Sequence, residues 1–296
     1  ALMKTLLSII FFILAIAYLY YTTDLTVLVD NLLSYSIESI LFLILFNILS
    51  LLLMGFRFTI LFSKISFFNS LKINTISMGI NQITPARAGD VAKPFMVKKL
   101  VNTKLSHLFA VITLERFLDV FILFILLLTF LPIAIEYIYA LIIFVPMFIF
   151  LFRKKGIHSL LNLIKKIKNK KIKNFLLTFY ITLIKINKVK LIKVFFITVF
   201  MYFLYLITMF IFINSFSLFS IDFLDTITVF ILTTLGLMVP SAPASLGTYE
   251  ASLVFSLGLF DISKEKALSF ALIYHFIQIS TILILTGLFM IRKNNE

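Results

Sequence analysis

The chain contains no cysteine and no tryptophan. Without cysteine there are no disulfides, no thiolate metal sites and no cysteine nucleophile. Without tryptophan, any aromatic belt at a membrane surface falls to tyrosine and phenylalanine, as at Tyr18, Tyr20 and Tyr21. Charge is scarce too: 14% of residues are charged, against about 25% in ordinary soluble domains. The three histidines, His107, His158 and His275, are too scattered to form a metal cluster. No phosphate-cradling glycine loop and no HExxH pattern occurs. These absences lead to the expectation of a protein that is not an enzyme and needs no cofactor and no metal.

Hydrophobic residues make up 61% of the 296-residue chain, 36 of them phenylalanine. Apolar runs at about 5–21, 37–62, 106–131, 137–152, 191–214 and 267–291 are each near the length of about 20 residues that crosses a bilayer as a helix. The expected fold class is therefore all-α, a polytopic integral membrane protein organised as a single membrane domain over 1–296. The run after Lys4 has the look of a signal peptide but lacks a small-residue cleavage pattern, so it is read as a retained span. A net charge of +14 would suggest nucleic acid in a soluble protein. In a chain this apolar it is read instead as orientation signal and attraction to anionic lipid, with no nucleic-acid partner expected.

Two apolar regions are broken. Residues 66–84 and 88–97 flank the bend from Pro85 to Gly89, and residues 226–240 and 246–260 flank "PSAPASLG". Fifteen helical residues reach only about 22 Å, short of a hydrocarbon core of about 30 Å. Each region is therefore expected to be a re-entrant helical hairpin, which is tolerated at membrane depth only where protein or a wet cavity surrounds it. Six spans and two hairpins place Lys64, Lys98, Lys99, the basic run 153–193 and Arg292 on one side. By the positive-inside rule that side is cytoplasmic, and both termini lie there. Lys264 and Lys266 alone fall on the unexpected face.

The two bends resemble each other. "TPARAGDVAKPFMV" begins at Thr84 and "APASLGTYEASLVF" at Ala242; Pro85 precedes Gly89 by four residues, as Pro243 precedes Gly247. An acid follows each glycine, Asp90 in one and Glu250 in the other. With the hairpins entered from opposite sides, 37–131 and 191–291 form an inverted repeat, the architecture of alternating-access transporters. The connector at about 153–190, with nine basic residues between Arg153 and Lys173, is expected to lie on the anionic leaflet as an amphipathic helix.

Asp90, Glu115, Asp119, Glu250, Arg87, Lys93, Arg116 and Arg57 fall within apolar segments. Facing lipid, eight such charges would cost on the order of 20 kcal/mol, so they must pair, snorkel or face a polar cavity. In "LERFLDVF", Glu115 and Asp119 share a helix face that is expected to meet the first hairpin, where Arg87 and Lys93 bring opposite charge. Either the charges pin the hairpin as a buried knot, or they line a pocket for a headgroup or coupling ion. Arg57, near a helix end, is read as snorkelling to the interface. His275 and Gln278, three apart on one span, are each read as making an ordinary hydrogen bond to another helix. Glu250, beside Tyr249 at a broken helix, needs a cation, a proton or an arginine.

"NQITPARAGDVAKPFMVKK", then "VITLERFLDVF", then "LGLMVPSAPASLGTYEASLVF" together resemble the lysylphosphatidylglycerol synthase transmembrane-domain family, also called flippase-like. The chain departs from the family pattern at Ala244 and Ser245, where glycine is often found. The resemblance implies movement of lipid between leaflets by a stand-alone member without a fused transferase. Arg87, Asp90, Lys93, Glu115, Arg116, Asp119, Tyr249 and Glu250 would bind substrate, with Pro85, Gly89, Pro243 and Gly247 as bends. The expected partner is an anionic or polyprenyl-linked membrane lipid. Two rival readings are a membrane subunit serving a separate glycosyl- or aminoacyl-transferase, and an ion-coupled solute transporter.

Overall fold

The structure, a computed structural model, describes residues 26, 30, 35–84, 87–130, 161–215, 219–238 and 242–291. The expected spans at 5–21 and 137–152, and Pro85, lie outside the described residues. All regular structure among the described residues is helical: α1 (Ile37–Leu61), α2 (Phe67–Ile83), α3 (Ala88–Leu100), α4 (Leu105–Phe130), α5 (Lys170–Ile184), α6 (Lys188–Asn214), α7 (Phe223–Met238), a 3₁₀ turn (Pro243–Ser245), α8 (Thr248–Gly258) and α9 (Lys264–Ile291). Among them α1, α6 and α9 are long and apolar enough to cross a membrane, and α7 is a shorter apolar helix. At 26 residues α4 matches the long helices in length but carries Glu115, Arg116 and Asp119 near its middle.

Local sequence explains where the helices begin and stop. Ser36, Ser66, Asn169 and Asn187 each accept a hydrogen bond from a first-turn N–H, capping α1, α2, α5 and α6. Helix α2 ends at Thr84, which precedes a proline and adopts the extended φ −112°, ψ 144° that such a residue favours. Within the long helices, the hydroxyls of Thr198, Thr208 and Thr281 donate to the carbonyl four residues back, so they enter an apolar interior already satisfied.

The element order is long, short, short, long, twice. Helices α1 to α4 have 25, 17, 13 and 26 residues; α6 to α9 have 27, 16, 11 and 28. The packing repeats as well. Helices α1 and α6 pack on each other, and the other principal contacts between the halves or within them come in exchangeable pairs: α1–α2 with α6–α7, α2–α3 with α7–α8, α3–α4 with α8–α9, α2–α9 with α7–α4, and α1–α9 with α6–α4. Helices α1 and α6 run antiparallel: Ser63 meets Lys190 at one end, Arg57 meets Thr198, and Tyr35 stacks on Phe212 at the other end. The first half thus relates to the second by exchange about an axis between two antiparallel helices.

Each hairpin is drawn tight by a glycine. A Cβ on Gly89 would lie 1.9 Å from the Ser77 carbonyl oxygen, and one on Gly236 1.8 Å from Ser252 Oγ. Of the expected connector, residues 153–160 lie outside the described residues; 161–165 are helical, the helix breaks over 166–169, and α5 begins afresh behind its Asn169 cap. Helix α5 packs on α4 through Phe175 against Phe109 and Thr182 against His107 Nδ1 (3.0 Å), with Ile172 and Ile181 left exposed.

Candidate functional site

The first hairpin and α4 bring their charges into one network. Lys93 Nζ lies 2.5 Å from Glu115 Oε2 and 4.2 Å above the Phe58 ring. Arg57 Nε reaches Glu115 Oε1 at 3.4 Å, and its Nη1 reaches Asp119 Oδ1 at 2.5 Å. Arg116 joins Asp119 Oδ2 at 3.3 Å and Asp90 Oδ1 at 3.5 Å. Asn81 ties the hairpin to this chain: its Oδ1 accepts from Gly89 N–H at 2.8 Å and its Nδ2 donates to Asp90 at 3.3 Å. Three cations thus face three carboxylates, and the network is neutral.

Arg57 is not at the interface, as its position near a helix end suggested. It is 1% exposed, and both its carboxylate partners sit on α4. Attraction to Glu115 and Asp119 outweighs the stretch toward water that snorkelling requires. Lys93 and Glu115, each 1% exposed, form the buried end of the network. Asp119, 19% exposed on its side chain, and Arg116, 34%, form its open end.

Arg87 stands apart. Among the described residues it makes no ion pair, and its side chain is exposed. As the residue before α3 it adopts the left-handed conformation (φ 54°, ψ 46°), which costs a side-chain-bearing residue about 1–2 kcal/mol. Strain of this kind persists where surrounding structure and function hold it.

The second bend meets the first. Its 3₁₀ turn packs on α2. Ala244 (φ 56°), Ser245 (φ 58°) and Gly247 (φ 85°) are all left-handed. Positive φ is a conformation that glycine adopts freely, so Ala244 and Ser245 hold it at a cost that glycine would not bear. Glu250 caps α8 by accepting from Gly247 N–H at 2.7 Å, and its other oxygen lies 2.6 Å from His275 Nδ1. The Tyr249 ring lies on the His275 imidazole, centroids 4.1 Å apart. The partner Glu250 needs is therefore a histidine on α9, and for His275 this is the interhelical hydrogen bond expected of it.

The register of the repeat differs from the proline-to-proline match. Gly247 precedes α8, whereas Gly89 is the second residue of α3. The equivalence lies in the acids: Asp90 and Glu250 are each the third residue of their helix. Their partners Arg116 and His275 are each the twelfth residue of the long helix that follows.

Both bends line one cavity of about 450 Å³, within the range of about 300–1,000 Å³ typical of small-molecule sites. Thr84, Arg87, Arg116 and Asp119 form its wall from the first half, and Ser245, Tyr249, His275 and Gln278 from the second. Of the residues expected to touch substrate, Arg87, Arg116, Asp119 and Tyr249 are on this wall; Lys93, Glu115, Asp90 and Glu250 stand behind it. Pro243 and Gly89 shape the bends without lining the cavity. Sequence reasoning missed Arg57, Asn81, Tyr202, Tyr205, Tyr274 and Thr233, all on the wall. A phase count along α4 and α9 would have pointed to Tyr274, which precedes His275 as Glu115 precedes Arg116.

Three helices long and apolar enough to cross a membrane, around a cavity with charged and polar residues on its wall, fit a multi-pass membrane protein. The family model described as the lysylphosphatidylglycerol synthase TM region matches residues 5–286, and the chain belongs to that family. No curated protein and no solved structure matches the chain.

Proposed function

We propose that this protein moves a phosphate-bearing lipid between membrane leaflets, its headgroup crossing through the cavity while its tails stay in the bilayer. The observation that carries this reading is the shared cavity, built from two bends that belong to opposite halves of an antiparallel repeat. On this reading α4 also crosses the membrane with its charges turned inward, and the two short-helix pairs are re-entrant hairpins. Helices α2, α3, α7 and α8 are then half-spans whose bends meet near the midplane. The termini lie in the cytoplasm of a cell membrane. The chemistry is transport without covalent change, for the carboxylates beside the cavity are all held by cations, a backbone N–H or His275.

Within the cavity wall, charge decides what enters. The paired network of the first half sums to zero, so the cationic Arg87 leaves that half of the wall positive, suited to a phosphate. The ion pairs of the site stay within one half: Arg57, Lys93 and Arg116 pair inside the first, and the contact of His275 with Glu250 lies inside the second. Across the halves the polar contacts are hydrogen bonds to uncharged acceptors, as from Arg57 to Thr198, Lys190 to Ser63, Tyr202 to the Asp119 carbonyl and Thr286 to the Thr75 carbonyl. Rocking of one half on the other would therefore break none of these pairs.

The test is transbilayer movement of labelled phosphatidylglycerol in vesicles containing the purified protein. Movement should depend on protein and should fall at least about tenfold in Arg87→Gln, the loss expected for one charge-assisted hydrogen bond. Equal rates with and without protein for phosphatidylglycerol, phosphatidylethanolamine and polyprenyl phosphate alike would refute it.

A further inference from the structure

The acids at the third position of α3 and of α8 meet different bases. Asp90 meets Arg116 in the first half and Glu250 meets His275 in the second, at matching positions of the long helices that follow. A guanidinium keeps its proton at any physiological pH, whereas an imidazole gains or loses one between about pH 5 and 8. The first pair therefore has a fixed charge, and the second can change by one. Resting on the proposed lipid transport, we infer that the Glu250–His275 pair is a proton-binding site that takes up one proton as a phosphate-bearing headgroup enters the cavity, so that proton and lipid cross together.

The pair has both a place to hold a proton and a way to exchange it. Glu250 Oε2 accepts from Gly247 N–H, and Glu250 Oε1 lies 2.6 Å from His275 Nδ1, close enough to share a proton with the ring. Both side chains are buried, His275 to 7% exposure and Glu250 to 5%. His275 nonetheless lines the cavity. Its Nε2 has no hydrogen-bond partner among the described residues, yet is not among the polar atoms shut off from solvent. That far edge of the ring is where a proton comes and goes. Sharing one proton, imidazole and carboxylate together carry −1; a second proton, on Nε2, makes them neutral.

The surroundings leave that charge uncompensated. Tyr202, Tyr205, Tyr249 and Tyr274 form a tyrosine wall on the cavity, with Tyr249 against the imidazole, and tyrosine stays uncharged where histidine titrates. Of the helices packed on α8 and α9, α2 and α7 line the cavity with uncharged side chains only, and α1 brings Arg57, already held by Glu115 and Asp119. Across the cavity stand Arg116 and Asp119, paired with each other, and the unpaired Arg87. The first half's network sums to zero, so Arg87 and an unprotonated pair cancel, and the cavity has little hold on an anion. One more proton leaves it at +1. Phosphate and proton therefore favour each other's binding, and reciprocally. Empty and loaded sites are then both neutral, which lowers the cost of reorienting them inside a membrane. The proton comes from water on the loading side and returns to water on the other, so no bond in the lipid changes.

The test places the full chain in vesicles with a trace of labelled phosphatidylglycerol and a gradient from about pH 6 to about pH 7. Valinomycin with equal potassium on both sides holds the membrane potential at zero. With one proton moved per lipid, label should gather in the leaflet facing the alkaline side by up to about tenfold, and a protonophore should abolish the asymmetry. His275→Arg copies Arg116 and fixes the charge of the pair, so lipid should still move but distribute evenly between the leaflets. The wild-type measurement decides by itself where that variant does not fold. Protein-dependent movement with an even distribution in the wild type, or an asymmetry that His275→Arg retains, overturns the inference and leaves lipid translocation standing. If no lipid moves with or without the gradient, both fall.

Discussion

The two halves of this chain solve one architectural problem with different side chains. Position for position along matched helices, Arg57 corresponds to Thr208, Lys93 to Leu253, Glu115 to Tyr274, Arg116 to His275, and Asp119 to Gln278. Only the acid at the third residue of the second short helix is common, as Asp90 and Glu250. The second half keeps one acid–base contact, Glu250 with His275. It fills the remaining volume with apolar and aromatic residues, Leu253 fully buried and Tyr274 4% exposed. The same helix lengths and exchangeable contacts arise with and without buried ion pairs, so the fold does not require them. That agrees with the general finding that a buried ion pair, replaced whole by apolar groups, is often neutral or stabilising.

The sharpest way to break this comparison is to disrupt one partner and then both. Lys93→Leu, which copies the second half, should lower stability by about 3–5 kcal/mol, because Glu115 stays buried opposite one cation where it had two. Adding Glu115→Gln should recover most of the loss. Unfolding monitored by circular dichroism in detergent would check both, and a double variant no better than the single one would mean that the fold does depend on the pair.

The next comparison uses the hairpin glycines. Gly89→Ala drives its new methyl group into the Ser77 backbone carbonyl and should cost about 3 kcal/mol. Gly236→Ala meets the Ser252 side chain, its hydroxyl at 1.8 Å and its Cβ at 2.7 Å, rather than backbone, and should cost less, about 2 kcal/mol. Equal costs in the same unfolding measurement would contradict the geometry of one hairpin.

The smallest effects come from the left-handed residues. Ala244→Gly and Arg87→Gly each relieve a positive φ at the price of a more flexible unfolded chain, a net gain of up to about 1 kcal/mol. Their functional outcomes should diverge: Ala244→Gly leaves the rate of lipid movement within about twofold, whereas Arg87→Gly loses the cavity's unpaired cation and slows it at least about tenfold. Parallel thermal and vesicle measurements on the two variants would separate strain kept for function from strain that is merely tolerated.

Much of the architecture was legible because membrane helices leave coarse marks. Proline and glycine broke two apolar regions, and the short helices fall within a few residues of the bounds those breaks suggested. The charges in "LERFLDVF" announced a face that could not meet lipid. Other features depend on distance through space rather than along the chain. Arg57 bonds a carboxylate 62 residues away, so nothing near it in sequence distinguishes pairing from snorkelling. The register of the repeat was hidden because a matching Pro–Gly spacing placed the two glycines at different helix positions. The tyrosine wall was hidden because tyrosine in an apolar helix is ordinary, and only the cavity shows which four converge.

The absence of native cysteine offers the most direct test. Gln278→Cys would place the chain's single thiol on the cavity wall. A bulky sulfonated thiol reagent should then label it, phosphatidylglycerol should slow that labelling, and the labelled protein should no longer move lipid between leaflets. Complete labelling with lipid movement unchanged would show that headgroups do not pass through this cavity.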